Sequence, residues 1–556
     1  MRIKNKIGLC LHLLKINFYN SFVVKRIIVN LNNSAVFDAQ YYLDQYPDVK
    51  NSGMSAIEHY VKHGISEKRM PSRYAESLSD SELLLLLKQA GLPDRLLQEF
   101  SVDEYGNEHD ENTSPPKDHG IHEDDLSLFH QFNIIPTLSD SQKRSLFNFL
   151  NNLFDYDDYL SMHRDLKGIT FDPRLHYFKW GYLEQRLPCS PVKIVSKINS
   201  VLCNYAADDF TCLEYMQSEA REEFGNQYTV TYHSSGNYFF QELAEYICQG
   251  LLEAGHTAHL CDETDIASKS GTHIIVIAPH EYFVFDGGRD LYLTIKNISP
   301  QRTYYVTEQP QSKFGINQMQ YLFDGSNIID INLSNAIFCR HFGIDSYFLP
   351  VGSTKADHKI TAKYPDSSID GIFIDQAARN YDIEKESSIA QRPIDILYIG
   401  NSVPRRTSIL AENSSLFNKY NSFIFTPEWP FPHKADSITT LNKNNALALC
   451  QRSKILLNIH RDEFHYFEWH RIVLRGLISG NVVITEPSYP VPGLVNGVHY
   501  LEYSLDEIPE RIEYLLETEA GIALCQTISR NARNAFGSLY PLSDSLDHYF
   551  KYRENI

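Results

Sequence analysis

The chain has 556 residues, 43% of them hydrophobic and 22% charged, with a formal net charge of −19. That length calls for several domains rather than one core, and the apolar share is enough to pack them. The acidic balance excludes general nucleic-acid binding, which depends on neutralising phosphates.

The nine cysteines are scattered, and no two have C-x-x-C spacing. They suggest neither a zinc site nor a disulfide framework and fit a reducing compartment, the cytoplasm. Residues 1–32 carry Arg2, Lys4, Lys6, Lys15, Lys25 and Arg26, and no acid precedes Asp38. His12 and Lys15 break the apolar run that a signal peptide needs, and no stretch approaches the length of a membrane span. This leader fits a basic amphipathic segment on the anionic inner face of a membrane. It fits equally a terminal helix packed on its own protein.

An internal repeat follows. Residues 37–72 match residues 154–190 at a constant offset of 117, pairing Phe37 with Phe154, Tyr42 with Tyr159, Asp48 with Asp165 and His59 with His176. The register holds through Gly64 and Gly181, Glu67 and Glu184, Arg69 and Arg186, and Pro71 and Pro188. Each copy reads as short helices stopped by Gly and Pro, giving helical modules over 33–75 and 151–192. Arg164 stands in the second copy where the first has Pro47. His59 and His176 read as core histidines beside an aromatic rather than ligands. The segment 76–150 between the copies holds a Leu-rich amphipathic helix at 80–100 and an acidic, Pro-interrupted linker at 103–126.

From residue 226 short apolar runs alternate with helical stretches. Strands are predicted at 228–232, 257–261, 273–279, 303–307 and 328–333. A helix is predicted over 238–255, where Phe239, Leu243, Ile247 and Leu251 recur four apart and Gly255 ends the run. A second series has strands at 394–399, 422–426, 455–459 and 482–485. Continuous apolar strands alternating with helices imply parallel sheets covered on both faces. The reading is α/β, with doubly wound domains over 193–356 and 394–556, a connection over 357–393 and a mainly helical N-terminal region. Ligands of such sheets sit beyond the carboxyl ends of the strands.

Those ends hold the candidate residues. Gly400, Asn401, Arg405 and Arg406 follow the strand at 394–399 and precede a helix, a setting suited to a diphosphate. His460 ends the strand at 455–459, a helix carrying Glu468 and Arg471 follows, and Glu486 ends the strand at 482–485. Glu468 suits ribose or sugar hydroxyls, and Arg471 and His460 suit phosphate. The competing structural reading makes Glu468 and Arg471 a helix pair at i, i+3. In the first half His233, His280 and Glu281 follow strands, as do Glu308 and Gln309, and a histidine there is a candidate base.

The repeat resembles a module that accompanies many bacterial glycan-synthesis proteins. Residues 226–545 resemble bacterial glycosyltransferases of the GT-B architecture, particularly the branch with CgeB-like transferase domains. The matching stretches are V-T-E-Q at 306–309, N-L-S-N at 332–335, F-L-P-V-G at 348–352 and D-I-L-Y-I-G-N-S-V-P-R-R at 395–406. They continue with S-K-I-L-L-N-I-H at 453–460, F-E-W-H-R-I at 467–472 and G-N-V-V-I-T-E at 480–486.

The resemblance implies hexosyl or related transfer from a nucleotide-sugar donor held by the C-terminal half, with a cell-surface glycan or glycoconjugate acceptor against the N-terminal half. It implies no metal and no further cofactor, and it makes Arg405, Arg406, Lys454, His460, Glu468 and Arg471 donor-side candidates. The sequence departs from retaining relatives, which carry two glutamates separated by seven residues: Gly476 stands eight after Glu468, and Arg471 eight after Glu463. That departure keeps a second reading open, a non-catalytic nucleotide-sugar-binding or scaffold protein. A dinucleotide oxidoreductase is disfavoured, because no strand is followed by G-x-G-x-x-G.

Overall fold

The computed structural model describes residues 37–50, 54–64, 69–72, 75, 126–134, 138–166, 172–202, 227–285, 287–357, 378, 381, 388–427, 441, 443–489 and 491–553. The leader 1–32, the helix at 80–100, nearly all of the acidic linker and most of 357–393 lie outside them. The chain divides into two compact units, Met1–Asn112 and Thr113–Ile556.

The first unit holds the first repeat. Asp38 and Ser55 accept hydrogen bonds from the amides of Tyr41 and Glu58 and so start helices Ala39–Gln45 and Ala56–His59. The second helix widens into a looser turn over Tyr60–Gly64. Phe37, Tyr42, Val49, Ile57 and Tyr60 are buried together, and the Tyr42 hydroxyl lies 3.3 Å from His59 Nδ1. Within the second unit the second repeat is built the same way. Asp155 caps helix Tyr156–Met162, and Pro173–His176 continues into Tyr177–Gly181. The Tyr159 hydroxyl lies 2.9 Å from His176 Nδ1. A side chain at Gly64 or Gly181 would overlap the tyrosine hydroxyl of its own copy, which explains a glycine at both places.

Two parallel sheets form the rest. The first has six strands: β1 (Gln227–Tyr232), β2 (Thr257–Asp262), β3 (His273–Ile277), β4 (Arg302–Val306), β5 (Asn327–Asp330) and β6 (Ser346–Phe348), in the order β2-β1-β3-β4-β5-β6. The second has β7 (Ile394–Ile399), β8 (Ser422–Phe425), β9 (Ser453–Asn458), β10 (Val482–Thr485) and β11 (Leu501–Glu502), in the order β11-β10-β9-β7-β8. Every pairing is parallel. Each sheet is wound alike, its first strand flanked by its second and third. The winding therefore reverses between β1 and β3, and again between β7 and β9, where doubly wound sheets open a crevice. Two such sheets facing one cleft make the GT-B architecture. β6 and β11 are absent from the sequence reading because three and two residues carry no periodicity to detect.

The second repeat is part of this body. Its Tyr177, Phe178 and Tyr182 share an apolar cluster with Ile274, Val276, Tyr304 and Val306 of the first sheet. A second cluster runs from Val230 and Ile277 through Phe348 and Phe467 to Leu456 and Val483, so the two sheets share one core. The last helix, Leu542–Arg553, crosses back from the second half onto the first: Phe550 packs on Tyr228, and His256 reaches Asp547 at 3.1 Å.

Arg392, a buried cation just before β7, holds the second half together at its amino edge. It donates to the carbonyls of Ser453 (2.8 Å), Ser479 (2.7 Å) and Gly480 (3.3 Å), the last two at the end of helix Arg471–Ser479. Burial pushes its pKa down to about 10. Each of these carbonyls also accepts from a second donor, Asn481 for Ser453 (2.7 Å), Arg533 for Ser479 (2.9 Å) and Ser529 for Gly480 (2.6 Å). Arg392→Met therefore orphans none of them but removes three hydrogen bonds, and at about 1 kcal/mol each should cost about 3 kcal/mol. A urea-denaturation midpoint measured on both proteins checks this.

Candidate active site in the cleft between the sheets

The carboxyl ends of the strands meet in a cleft of about 780 Å³. Thr307, Glu308 and Gln309 after β4, Ile331 and Asn332 after β5, Gly400 and Asn401 after β7, and much of the loop after β9 line it. Local sequence accounts for the β7 corner. A Cβ at Gly400 would sit 2.6 Å from the Tyr398 hydroxyl, so a side chain there would have to displace the Tyr398 ring. Pro404 opens helix Pro404–Glu412 at a position where its missing N–H costs nothing. Arg405 and Arg406 thus fall in the first turn.

Their roles diverge. Arg406 lines the cleft; its Nε donates to the Ile459 carbonyl (2.9 Å) and its Nη2 to Glu468 Oε1 (3.2 Å). Both side chains of this ion pair are over nine-tenths buried. Gln309, from the first half, donates to Glu468 Oε2 (3.0 Å) and to the Phe467 carbonyl (3.1 Å). Gln309 Oε1 accepts in turn from Asn332 Nδ2 (2.5 Å), and Asp330 fixes Asn332 by accepting from its amide (2.8 Å). Burial raises the Glu468 carboxyl against the pull of Arg406, and burial pushes Asp330 up to about 8. A polar chain thus runs from the first sheet to the second across the floor of the cleft.

Several predicted positions are corrected. Glu468 lies in the loop before the helix, fixed by its amide to Ser488 Oγ (3.1 Å) and its carbonyl to Asn458 (2.9 Å); the helix begins only at Arg471. Glu468 and Arg471 are not a helix pair: Arg471 donates to Glu242 (2.8 Å) and the Phe239 carbonyl (3.3 Å) across the halves. Arg405 does not line the cleft. Its Nη atoms are held by Glu486 (3.0 and 2.5 Å) and the His460 carbonyl (2.7 Å), and Glu486 also takes the His460 amide (2.7 Å). Those three residues brace the ends of β9 and β10 behind the cleft. Lys454 is displaced furthest. It sits at the amino end of β9, bonded to Asp395 (2.7 Å) near the amino end of β7, so the length of the strand separates it from the site.

In the first half, His233, His280 and Glu281 cluster at the β1–β3 crevice but none lines the cleft. Both Glu281 oxygens accept from Asn237, its amide and its side chain, which fixes the turn before helix Tyr238–Glu253. His233 Nδ1 accepts from the Ser235 amide (3.2 Å). His280 is buried, 3.5 Å from Glu308, and burial lowers its pKa. Of the predicted residues, Gly400, Asn401, Arg406, Glu468 and Arg471 reach the cleft together, with Glu308 and Gln309 opposite.

Residues not singled out from the sequence also line it: Arg461, Tyr466 and His470 in the loop after β9, and Met162, His163, Gln185, Arg186 and Leu187 from the second repeat. The dense R-D-E-F-H-Y-F-E-W-H run at 461–470 was a legible signal for the first group; the second had none. Among the described residues no group of His, Cys, Asp and Glu side chains is placed to hold a metal ion. No helix among them is long and apolar enough to cross a membrane.

No known family model and no curated protein matches the sequence. Among solved structures, a glycosyltransferase from Rickettsia africae is similar over 60% of this chain and 99% of its own, at 11% identity and a TM-score of 0.38. The Anabaena protein HepE in complex with UDP is similar over 59% and 100%, at 9% identity and 0.39. The sucrose-phosphate synthase of Thermosynechococcus elongatus is similar over 59% and 99%, at 12% identity and 0.39.

Two histidines near Arg406 stay neutral in the fold. Burial and nearby guanidiniums push His460 and His470 down to about 3, against 6.5 when free. The unfolded chain therefore binds protons between these values and the folded chain does not. Stability is complete above about pH 6.5 and falls on acidification, by up to about 1.4 kcal/mol per pH unit for the buried His460. His460→Asn should flatten that fall, as urea midpoints at neutral and mildly acidic pH will show.

Proposed function

We propose that the chain is a glycosyltransferase that moves a hexosyl or related unit from a nucleotide sugar to a cell-surface glycan or glycoconjugate. The observation that carries this reading is the Arg406 guanidinium, held beside the Gly400–Asn401 turn and a helix start where the second sheet reverses its winding. Such a corner offers amide donors, a helix dipole and fixed positive charge to a diphosphate. Arg461 adds a second cation on the same wall. Glu468 keeps lone pairs beyond those used by Arg406 and Gln309 and accepts from sugar or ribose hydroxyls.

In this reading the guanidiniums and amides stabilise the diphosphate as it leaves, and no metal is required. The acceptor approaches from the first sheet, past Glu308 and Gln309. The enzyme works in the cytoplasm, with residues 1–32 resting on the inner membrane face.

A scaffold role is the second reading, and one feature favours it. Position 476 lies inside helix Arg471–Ser479, where any side chain would collide with Leu456. The second glutamate of retaining relatives has no room there.

A thermal-shift screen against UDP-, GDP- and ADP-hexoses and the free diphosphates, with and without EDTA, separates these readings. A ligand at about one hundred times its Kd stabilises by about 2.7 kcal/mol, a rise of a few degrees. One nucleotide sugar should give that rise with EDTA present, and Arg406→Ala should abolish it. Glu468→Gln should reduce transfer about a hundredfold while leaving the fold intact. Binding without turnover on a broad acceptor panel would establish the scaffold instead, and no shift with any nucleotide would refute both.

A further inference from the structure

The second repeat module reaches the cleft with six residues, Pro191 being the sixth, yet nothing in the donor-site chemistry uses them. His163 ends helix Tyr156–Met162, its amide bonded to the Tyr159 carbonyl (3.1 Å) and its ring edge-on to Tyr159. Its Nε2 lies 3.2 Å from the Leu187 carbonyl. A carbonyl only accepts, so Nε2 carries the hydrogen and the neutral ring presents a lone pair at Nδ1. Burial and the neighbouring Arg186 favour that neutral ring. Among the described residues no group takes Nδ1.

The first copy shows what the module needs for folding alone. There the equivalent position is Tyr46, whose hydroxyl accepts from the Met70 amide (2.8 Å), with the Arg69 guanidinium 4.8 Å from its ring centre. Met70 and Leu187 are equivalent, so both side chains brace the same stretch of chain. At this position the second copy carries an imidazole with a spare acceptor where the first carries a phenol.

Gln185 adds a second sign. Among the described residues only Gln185 and Ala278 have positive φ without being glycine, and Gln185, at φ 58, is one of the residues that line the cleft. Glycine would hold this left-handed turn at lower cost, by about 1 kcal/mol. The wall is also rigid. The Tyr182 hydroxyl accepts from the Gln320 amide (3.1 Å) and donates toward the Asn317 carbonyl (3.1 Å), docking the module on helix Lys313–Leu322. Ser312 and Phe314, at the start of that helix, line the same cleft, as does Phe239.

We propose that the second repeat module is the acceptor wall of the cleft, with His163 Nδ1 accepting a hydrogen bond from a hydroxyl of a saccharide acceptor. This deepens the transferase reading and rests on it. The sugar's hydroxyls meet His163 and Gln185, and its C–H faces lie against Phe239 and Phe314, the mixture of apolar rings and few fixed polar groups that small-molecule sites use.

The test uses the full chain and two readouts. Saturation-transfer NMR follows methyl α- and β-glycosides of glucose, galactose and mannose; thermal shift follows UDP, GDP and ADP. His163→Phe keeps a ring on Tyr159 without nitrogens and should weaken glycoside binding roughly three- to tenfold, the loss of one hydrogen bond. Gln185→Gly should lower glycoside binding while melting no lower than the parent, so a misfolded His163→Phe does not decide the matter. The nucleotide shift should survive in both. Unchanged glycoside binding in both variants, or none of these glycosides bound by the parent protein, overturns the proposal. A protein that ignores UDP, GDP and ADP yet loses glycoside with His163 would refute the donor reading and leave the acceptor wall standing.

Discussion

Glu468 is a carboxylate buried in the floor of an apolar cleft, and much of the site follows from keeping it there. A buried charge is tolerated only when it is paired and its lone pairs are used. Arg406 from the second half and Gln309 from the first meet that demand together. Gln309 is itself held by Asn332, and Asn332 by Asp330. The same bonds that make Glu468 affordable therefore fix the two sheets relative to each other at the point where a ligand would lie.

The polar residues around the cleft divide into those that brace and those that face it. Arg405, His460 and Glu486 saturate one another behind the β9–β10 edge, and Glu281 and Asn237 do the same in the first half. Arg406, Arg461 and His470 face the open volume. Adjacent arginines in one helical turn point about 100° apart, which is enough to send Arg405 to the brace and Arg406 to the site.

The two repeats show how one small scaffold serves different ends. Each buries a tyrosine–histidine pair against a glycine, so those three shared residues are explained by packing. The position that differs, Tyr46 against His163, is the informative one. Shared pattern reports the fold of the module; divergence reports its surroundings.

The sequence by itself determined the local architecture. Short continuous apolar runs located β1–β5 and β7–β10, the offset of 117 exposed the repeat, and turns at Gly400 and Pro404 marked the corner beside the second crevice. These signals are local, set by backbone geometry and the spacing of apolar side chains. Tertiary structure alone decided which candidates share a volume. It removed Lys454 to the far edge of the sheet, spent Arg405 on Glu486, drew Glu468 out of its expected helix and carried His163 into the cleft from about 300 residues upstream of Glu468. Strand direction, helix phase and the pairing of buried charges set those outcomes, and each depends on chain that lies far away in sequence.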